Sequence, residues 1–518
     1  MSTTFKPVRR ALSDFLGDDA TDAVCAARSA LTGEELADLR SIATTAVDFY
    51  PVNMQRQLAS MLDRVGSQIS PDVGTTPGGA AASAFNAATN TAAAPLSGYG
   101  YYRVGENGQL YLATKSEHYH APLGHSFPGY RLLSRARRLG IPNATHNNTR
   151  GTLTRRLEEA LVCAANGIAP NDQSTLDATL ADTNDLYTLN RVINLETGSL
   201  AVEAALKFCL ARFYSINDQA DTPPYCDCNP VFLVMGDQDG GLAANYHGTT
   251  TITQTMRGMW PDFYSAMDEA GIFKVVPIRP NSYEDLTQAF ATYEKYPYKI
   301  AGFFHEIVMM NYGAILLEKE FLQKAYTLCA AANVPTVCDE IQSGIWAPEL
   351  FLFRDYEIRP SCVAVGKGFP GGEYAASRII FSAALDTLPQ FGALVTNGQE
   401  EIAALAYLVT MEWATANAAV TEEVGEALAA TFTELAATFP NIIEGTSGWR
   451  HMTALRFTDL TTANRFTRAM NRRGLDISAQ TYKADCPPVA LIKLPLIADL
   501  DVVNYIARSM HAAATEIS

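Results

Sequence analysis

Two segments decide the fold of this chain: Val334-Pro-Thr-Val-Cys-Asp-Glu-Ile-Gln-Ser-Gly344 and Ser361-Cys-Val-Ala-Val-Gly-Lys-Gly-Phe-Pro-Gly-Gly372. Each begins with an apolar run typical of a buried strand, which ends at a charged residue, Asp339 or Lys367. The 28 positions from Asp339 to Lys367 are enough for the crossover that joins two parallel strands. We therefore expect these residues at the carboxyl ends of neighbouring strands, the edge where open α/β sheets bind ligands.

A lysine amine and a carboxylate at such an edge meet the needs of one cofactor, pyridoxal 5′-phosphate. It requires a lysine for its Schiff base and an acid facing its ring nitrogen, which keeps the pyridinium protonated. The same residues also fit a simpler interpretation, since a lone lysine is usually solvated and an aspartate after a strand often caps a helix. Glycines around Lys367 also occur in ordinary turns. A phosphate site and a ring-stacking residue elsewhere would decide between the two.

Further apolar runs alternate with helical patterns through the middle of the chain. This alternation predicts an α/β fold with a mostly parallel sheet covered by helices on both faces. The predicted strands are 231–235, 273–278, 300–305, 334–338, 362–365 and 378–381. After Gly398 a long helical pattern leads to a smaller α+β part with predicted strands at 452–457 and 489–494.

The same patterns divide the chain into four parts. They are an N-terminal helical extension at 1–73, an Ala/Gly-rich connector at 74–98, a large cofactor-binding domain at 99–395 whose segment 99–150 packs with the small domain, and a connecting helix with the C-terminal small domain at 396–518. Thr32 and Glu35 have the spacing of a capping box ahead of Leu36. Docking or oligomer contact is the expected role of the extension, and the connector fits a flexible linker or a loop that covers a ligand.

Composition limits the possible partners. The 518 residues carry a formal net charge of -16, which disfavours binding to a nucleic acid backbone. The sequence has no run of 18 apolar residues and no signal-peptide core, so we expect a cytoplasmic protein without a membrane partner. The nine cysteines are scattered, several within apolar runs, which is typical of reduced thiols.

We predict no metal site. The pair Cys226-Asp-Cys228 is spaced more tightly than zinc ligands and has no second pair. His118, His120 and His125 lie close in sequence, but no carboxylate or cysteine stands at a recognised spacing from them. Lining a pocket or capping a loop is the role we expect for these histidines.

Two further segments supply the missing signals. Glu196-Thr-Gly-Ser199 precedes a helical pattern that starts near Leu200, and free N–H groups at a helix start hold a phosphate without a basic side chain. This segment alone also fits an ordinary N-cap. In Asn245-Tyr-His-Gly248, Tyr246 is placed to stack on a flat heteroaromatic ring, although a packed surface tyrosine gives the same pattern.

Taken in chain order, these segments form a recognisable set: Thr-Gly-Ser, Tyr-His-Gly, Glu306 at a strand end, Asp-Glu-Ile-Gln, Gly-Lys-Gly and Thr396-Asn-Gly. The set resembles the class III pyridoxal-phosphate-dependent aminotransferases, which have the fold-type I architecture, over roughly residues 95–510. The resemblance implies that Lys367 forms the Schiff base and moves the proton between the substrate α-carbon and the cofactor. It also implies that Asp339 pairs with the pyridinium nitrogen and that Gln342 reaches the phenolic oxygen. Glu306 matches the acid of the family's Glu-Pro-Val-Gln stretch.

The remaining matched positions concern the phosphate, the ring and the dimer. By resemblance, Gly198 and Ser199 bind the phosphate, and Tyr246 stacks on the ring with His247 beside it. Thr396 matches a threonine that reaches the phosphate of the neighbouring subunit, which implies a homodimer with shared active sites.

The chain departs from the family at the expected substrate contacts. Family members that act on α-amino acids typically grip the carboxylate with an arginine ahead of a Pro-Pro-Leu-like stretch. Lys493 stands in its place, in Leu491-Ile-Lys-Leu-Pro-Leu496, and Asn311 takes the position of the glutamate that often pairs with this arginine. Tyr119 is a further expected substrate contact.

Transfer of an amino group between an amino donor and a carbonyl acceptor, in two half-reactions, is the function that this resemblance favours. A non-transaminating enzyme of the same fold is the alternative: a racemase, an aminomutase, a decarboxylase, or a catalyst of elimination or substitution at the β or γ carbon. A catalytically silent α/β scaffold is the hypothesis from another class. The altered contacts predict that glutamate and 2-oxoglutarate are poor substrates.

Overall fold

In the computed structural model, which describes residues 4–146, 148–218, 220–479 and 486–518, a seven-stranded sheet lies at the centre of the chain. Four of its strand pairings are parallel, and only Ser377–Ser382 runs against its neighbours. Across the sheet the strands are Leu189–Leu195, Ser377–Ser382, Cys362–Val365, Thr336–Asp339, Tyr298–His305, Asn229–Met235 and Lys274–Ile278.

The sheet confirms the expected mostly parallel α/β architecture. All six strands predicted for it form, and Asp339 pairs in parallel register with Ala364, three residues before Lys367. The edge strand Leu189–Leu195 was not predicted, because its sequence Leu-Asn-Arg-Val-Ile-Asn-Leu mixes polar and apolar residues without a clean alternation.

Both faces of the sheet are buried. Alternate residues of one strand enter two separate apolar cores, with Val363 and Val365 on one side and Cys362 and Ala364 on the other. A strand covered on both faces reads as a continuous apolar run, which explains why these strands were visible in the sequence. The helices of this part are Thr152–Asn166, Gln173–Ala181, Gly198–Leu210, Thr251–Thr255, Pro261–Glu269, Tyr283–Tyr293, Lys319–Ala331 and Leu352–Asp355.

A smaller four-stranded antiparallel sheet follows in the C-terminal part. Its strands, in order, are Ile443–Trp449, Met452–Phe457, Val489–Ile492 and Ser478–Ala479. Both predicted strands form, although the second ends at Ile492. The helices Glu401–Ala416 and Ala418–Thr438 lead into this part, and Leu460–Arg472 and Leu500–Ile517 belong to it.

The N-terminal extension is helical, as predicted. Its helices are Leu12–Leu16, Asp18–Thr32, Leu36–Thr44 and Val52–Met61. The capping box at Thr32 and Glu35 does not form: Thr32 ends one helix, Gly33 follows with a φ of 74°, and Glu35 precedes the next helix without capping it through its side chain. Glycine in this left-handed conformation stops the first helix at the point where the box would have started a second.

An aromatic cluster joins the extension to the rest of the molecule. The rings of Phe5, Tyr50 and Phe127 lie 5.8, 5.4 and 5.5 Å from the ring of Trp413 in the helix Glu401–Ala416. Phe127 also contacts Tyr130, whose hydroxyl lies 2.7 Å from Thr410 Oγ1. The extension thus packs behind the helix that carries Trp413.

Residues 95–138 begin with a three-stranded sheet, Pro95–Tyr99, Tyr102–Gly105 and Leu110–Leu112, and end with the helix Arg131–Arg138. Before this sheet, the connector is largely exposed and contains the short helix Ser83–Ala88, whose Phe85 is 75% exposed. Within the described ranges, no helix combines the length and apolar character required to cross a membrane.

Candidate active site

A cavity of about 560 Å³ opens at the carboxyl edge of the large sheet. Its wall brings together segments that are far apart in the sequence. The lining residues are His120, Glu196, Thr197, Gly198, Ser199, Tyr246, His247, Gly248, Asp339, Ile341, Gln342, Lys367, Pro370, Gly372, Tyr374, Ala375, Ala376 and Ser377. The cavity therefore gathers most of the residues selected from the sequence.

Lys367 stands in this wall just after the strand Cys362–Val365, in a strained backbone conformation. Its φ is 38°, in the left-handed region that side chains other than glycine rarely adopt. Lys367 Nζ lies 3.2 Å from Gln342 Oε1, to which it donates a hydrogen bond. Burial lowers the pKa of the Lys367 amine, while Glu306 and Asp339 oppose that shift. A lysine whose pKa is shifted by burial and by specific acidic neighbours is typical of a functional site.

The glycines around Lys367 are required by close packing. A Cβ on Gly368 would lie 2.4 Å from the Trp346 ring, and a Cβ on Gly371 would lie 1.6 Å from the Tyr130 hydroxyl. Gly371 also has a φ of 68°. Any side chain at either position would displace the loop that carries the lysine.

Asp339 and His247 form a buried pair beside Lys367. His247 Nδ1 lies 2.8 Å from Asp339 Oδ2, and each side chain is 5% exposed. Because a carboxylate only accepts, Nδ1 carries the proton. The other oxygen, Oδ1, accepts the main-chain N–H of Ile341 at 3.0 Å. Asp339 is thereby fixed at the cavity wall with its charge compensated in part.

Gln342 connects the lysine to Glu306. Its side-chain Nε2 donates to Glu306 Oε1 at 3.0 Å, while its Oε1 accepts from Lys367. Glu306 is itself buried and does not line the cavity. The amide therefore has a defined orientation, with its oxygen towards the lysine.

The start of the helix Gly198–Leu210 contributes backbone N–H groups to the cavity. Thr197, Gly198 and Ser199 all line it, and Thr197 makes no side-chain cap. The first N–H groups of a helix have no partner within the helix. A Cβ on Gly198 would lie 2.4 Å from Ile341 Cδ1, so glycine permits this close approach.

The Tyr-His-Gly loop is fastened to that helix start. Ser199 Oγ accepts the N–H of Thr249 at 3.1 Å, and Thr250 Oγ1 donates to Glu203 Oε2 at 2.7 Å. Gly248 has a φ of 131°, and a Cβ there would lie 2.8 Å from Ser199 Cα. Tyr246 and His247 consequently face the cavity beside the anion-binding end of the helix.

The segment Ser116–Tyr119 is a left-handed turn next to the lysine. Its four φ angles lie between 46° and 75°, a conformation that costs about 1–2 kcal/mol per residue. Glu117 anchors the turn through Arg103 and His125, at 2.5 and 2.8 Å. The turn brings the Tyr119 ring centroid within 5.4 Å of Lys367 Nζ and 5.1 Å of Lys493 Nζ.

Lys493 is buried close to Lys367, and both contact the Tyr119 ring. It is fully buried, its Nζ lies 3.5 Å from the Trp346 ring centroid, and it donates a hydrogen bond to the main-chain oxygen of Gln342. Burial and the nearby Lys367 hold the pKa of Lys493 well below its ordinary value. Among the described wall residues, neither Lys493 nor Asn311 nor Tyr119 is present.

Thr396 is exposed and also lies outside the cavity of its own chain. Of the three histidines close in sequence, His120 lines the cavity, His118 stacks on Tyr119 and His125 pairs with Glu117. The described residues contain no cluster of three or more side chains suited to hold a metal ion.

Several wall residues were not selected from the sequence. They come chiefly from Tyr374 to Ser377, at the start of the antiparallel strand Ser377–Ser382. The sequence does indicate this antiparallel strand, because the Gly371-Gly372 turn ahead of an apolar run reverses the chain immediately beside the loop that carries Lys367. Glu196, Thr197 and Ile341 adjoin residues that were selected.

The sequence model of one protein family, described as "aminotransferase class-III", matches residues 95–484 of the chain. The chain belongs to the class III aminotransferases. Ornithine aminotransferase of Emericella nidulans is 24% identical over 198 residues, which are 38% of this chain and 41% of that protein. Ornithine aminotransferase car2 of Schizosaccharomyces pombe is 30% identical over 202 residues, 37% of this chain and 42% of that protein. The chain thus spans about two fifths of the length of these relatives.

The class III aminotransferase fold is also seen in solved structures. A transaminase from the marine bacterium Virgibacillus superposes with a TM-score of 0.66 at 17% identity, covering 89% of this chain and 99% of that one. At this identity, the likeness supports the fold alone.

Class III aminotransferases depend on pyridoxal 5′-phosphate, which is therefore the cofactor of this chain. The cavity fits it. Its wall contains a lysine amine for the aldehyde of the cofactor and a buried carboxylate for the ring nitrogen. It also contains a helix start with a glycine for the phosphate and an aromatic ring for stacking on the flat heterocycle.

Proposed function

We propose that this class III aminotransferase transfers an amino group from an amino donor to a carbonyl acceptor in two half-reactions. The observation that carries the proposal is the placement of Lys367 and the Asp339–His247 pair in one cavity wall at the carboxyl edge of the sheet. When bound, pyridoxal phosphate withdraws electrons from the substrate carbon that loses its proton.

Lys367 would bond to the cofactor and afterwards hold and move the proton at Nζ. Burial lowers the pKa of this amine, so a larger fraction is neutral and able to accept a proton near pH 7. Gln342 would orient Nζ through its side-chain oxygen, 3.2 Å away.

Asp339 would face the ring nitrogen and keep it protonated. Its side chain is 5% exposed, and electrostatic interactions are stronger at a buried position than in solvent. His247 would keep the carboxylate in position through the 2.8 Å contact. Glu306 would fix the amide of Gln342, which then turns its donor away from the lysine.

The phosphate would bind at the N-terminus of the helix Gly198–Leu210. Backbone N–H groups of Gly198 and Ser199 and the helix dipole attract an anion there, and the Ser199 hydroxyl lies at the same place. Tyr246 would stack on the ring.

An amino acid is the donor class that we propose, since the named relatives are ornithine aminotransferases. Lys493 would not grip its carboxylate from inside the cavity, because its amine is fully buried against Trp346 and the main chain of Gln342. We further propose a homodimer in which Thr396, exposed in one chain, contacts the phosphate of the other.

The experiment that tests the function exposes the holoenzyme to candidate amino donors without an acceptor and weighs the released cofactor. Conversion to the amine form, one equivalent per site, is the expected result. Lys367→Ala provides the control, because it retains the cavity but lacks the reacting amine. Consumption of the donor while the cofactor remains an aldehyde would overturn transamination in favour of a racemase, decarboxylase or elimination catalyst.

A further inference from the structure

Tyr246 reaches the cavity from a loop that is joined to a second segment by two adjacent contacts. Asn245 Nδ2 donates to the carbonyl of Met256 at 2.8 Å, and both residues are buried. In the next position of each segment, the guanidinium carbon of Arg257 lies 4.8 Å from the ring centroid of Tyr246. The two segments are therefore matched residue to residue, 245 with 256 and 246 with 257.

Arg257 contacts the Tyr246 ring from outside the cavity. Tyr246 belongs to the cavity wall, whereas Arg257 does not appear among its described residues. The guanidinium is thus placed away from the space that a ligand would fill. A distance of 4.8 Å is well within the 6 Å over which a cation attracts an aromatic ring, and a planar guanidinium covers a ring more broadly than an ammonium does.

The neighbours of Tyr246 are held by other groups. His247 is fixed by Asp339, and Thr249 by Ser199. These contacts set the course of the main chain, but they do not determine the rotation of the Tyr246 side chain. A ring that must present one flat surface needs its side-chain torsions restricted as well, and the contact with Arg257 restricts them.

We propose that Arg257 is a positioning residue that holds the Tyr246 ring ready to stack on the cofactor. The inference rests on the proposed function, since it takes pyridoxal phosphate as the ligand of the cavity. Arg257 does not touch the cofactor in this arrangement. It acts through Tyr246 by preforming the stacking surface, so that less side-chain freedom is lost when the cofactor binds.

The test measures the dissociation constant of pyridoxal phosphate by spectral titration of the apoenzyme, together with the visible circular dichroism of the bound cofactor. Arg257→Met keeps an apolar stem and removes the charged plane. We expect about 3- to 10-fold weaker binding, which corresponds to the cost of ordering one side chain when the cofactor binds, and a reduced dichroic band. Arg257→Lys, which retains the charge but not the plane, should give an intermediate value.

A double-mutant cycle separates positioning from a general structural effect. In a Tyr246→Leu background, Arg257→Met should change the dissociation constant by less than about twofold, because the ring it positions is absent. Arg212→Met is the matched control: Arg212 lies 5.1 Å from the Tyr225 ring in the same kind of contact, and neither residue lines the cavity. This variant should bind the cofactor like the wild type.

Unchanged affinity and dichroism in Arg257→Met would overturn the inference, as would an equal loss in the Tyr246→Leu background. If Arg257→Met does not fold, Arg257→Lys decides the question by the same criteria. A wild-type apoenzyme that fails to bind pyridoxal phosphate would instead contradict the proposed function, so the two failures are distinguishable.

Discussion

Replacing Asp339 by asparagine tests the charge at the centre of the candidate site. The carboxylate is 5% exposed and accepts hydrogen bonds from His247 at 2.8 Å and from the N–H of Ile341 at 3.0 Å. The amide oxygen of asparagine can still accept from Ile341, so the main chain is retained. The negative charge is lost, and the amide nitrogen cannot accept the proton of His247 or of a pyridinium nitrogen.

The expected loss follows from the burial of this charge. Removing one preorganised group that stabilises charge in a water-excluded site lowers kcat by about 10²- to 10³-fold. The folded state loses a charge-assisted hydrogen bond as well, about 1.5–3 kcal/mol. We therefore expect Asp339→Asn to bind the cofactor and to unfold at a lower denaturant concentration than the wild type. Its half-reaction should be about 100- to 1,000-fold slower.

Single-turnover absorbance changes of the bound cofactor with a saturating amino donor measure this rate. Asp237→Asn is the matched control: Asp237 is 7% exposed and accepts the N–H groups of Gly241 and Ala243, but it does not line the cavity. It should lose stability and keep its rate within about threefold. An Asp339→Asn enzyme with full cofactor occupancy and a rate within tenfold of the wild type would refute the reasoning. Loss of a charge that stabilises the reacting groups should slow the reaction by at least about 100-fold.

Lys367→Ala should abolish the borohydride-reducible bond between cofactor and protein, as judged by peptide mass; attachment at another lysine would end the assignment. Mixing Lys367→Ala chains with Thr396→Ala chains should give heterodimers with the damage on opposite sites, and sedimentation of an active monomer would contradict this. Because Lys493 is buried outside the cavity, glutamate should convert the cofactor to its amine form poorly, and rapid conversion in a donor screen would argue for a carboxylate grip elsewhere. Burial raises the pKa of Glu340 to about 7, so the stability that its protonated form contributes should fall as the pH rises from about 4.3, the ordinary value of a glutamate, to 7; urea unfolding should show this fall in the wild type and a weaker one in Glu340→Gln.

The candidate site was predictable wherever a strand ended in a chemically distinctive residue. Asp339 and Lys367 follow continuous apolar runs, and parallel topology requires that such ends meet at one edge. Gly198, Ser199 and Tyr246 were found in the same way, from a helix start and from a loop after a strand. Local patterns sufficed because each of these residues is placed by the element next to it.

The contacts that were missed depend on tertiary packing. Lys493 stays a predicted substrate contact, but its neighbour Trp346, whose ring lies 3.5 Å from Lys493 Nζ, is 147 positions earlier in the sequence and was not expected. The left-handed turn Ser116–Tyr119 contains no glycine, so no local signal predicts it. Arg257 follows a short helix with an unremarkable pattern, and its partner Tyr246 lies eleven positions earlier. None of these contacts has a fixed spacing that a sequence pattern could reveal.

The aromatic cluster around Trp413 has a consequence for cooperativity. Through this cluster, residues that precede the matched family region pack against the helix Glu401–Ala416. Phe127 of the cluster also contacts Tyr130, which packs against Gly371 in the loop that carries Lys367. We therefore expect residues 5–65 to unfold together with the edge of the sheet that carries Lys367. A fragment cut to residues 95–484 would lack Phe5 and Tyr50, so Trp413 and Phe127 would be exposed to water. Such a fragment would have to fold with an apolar surface that is buried in the longer chain.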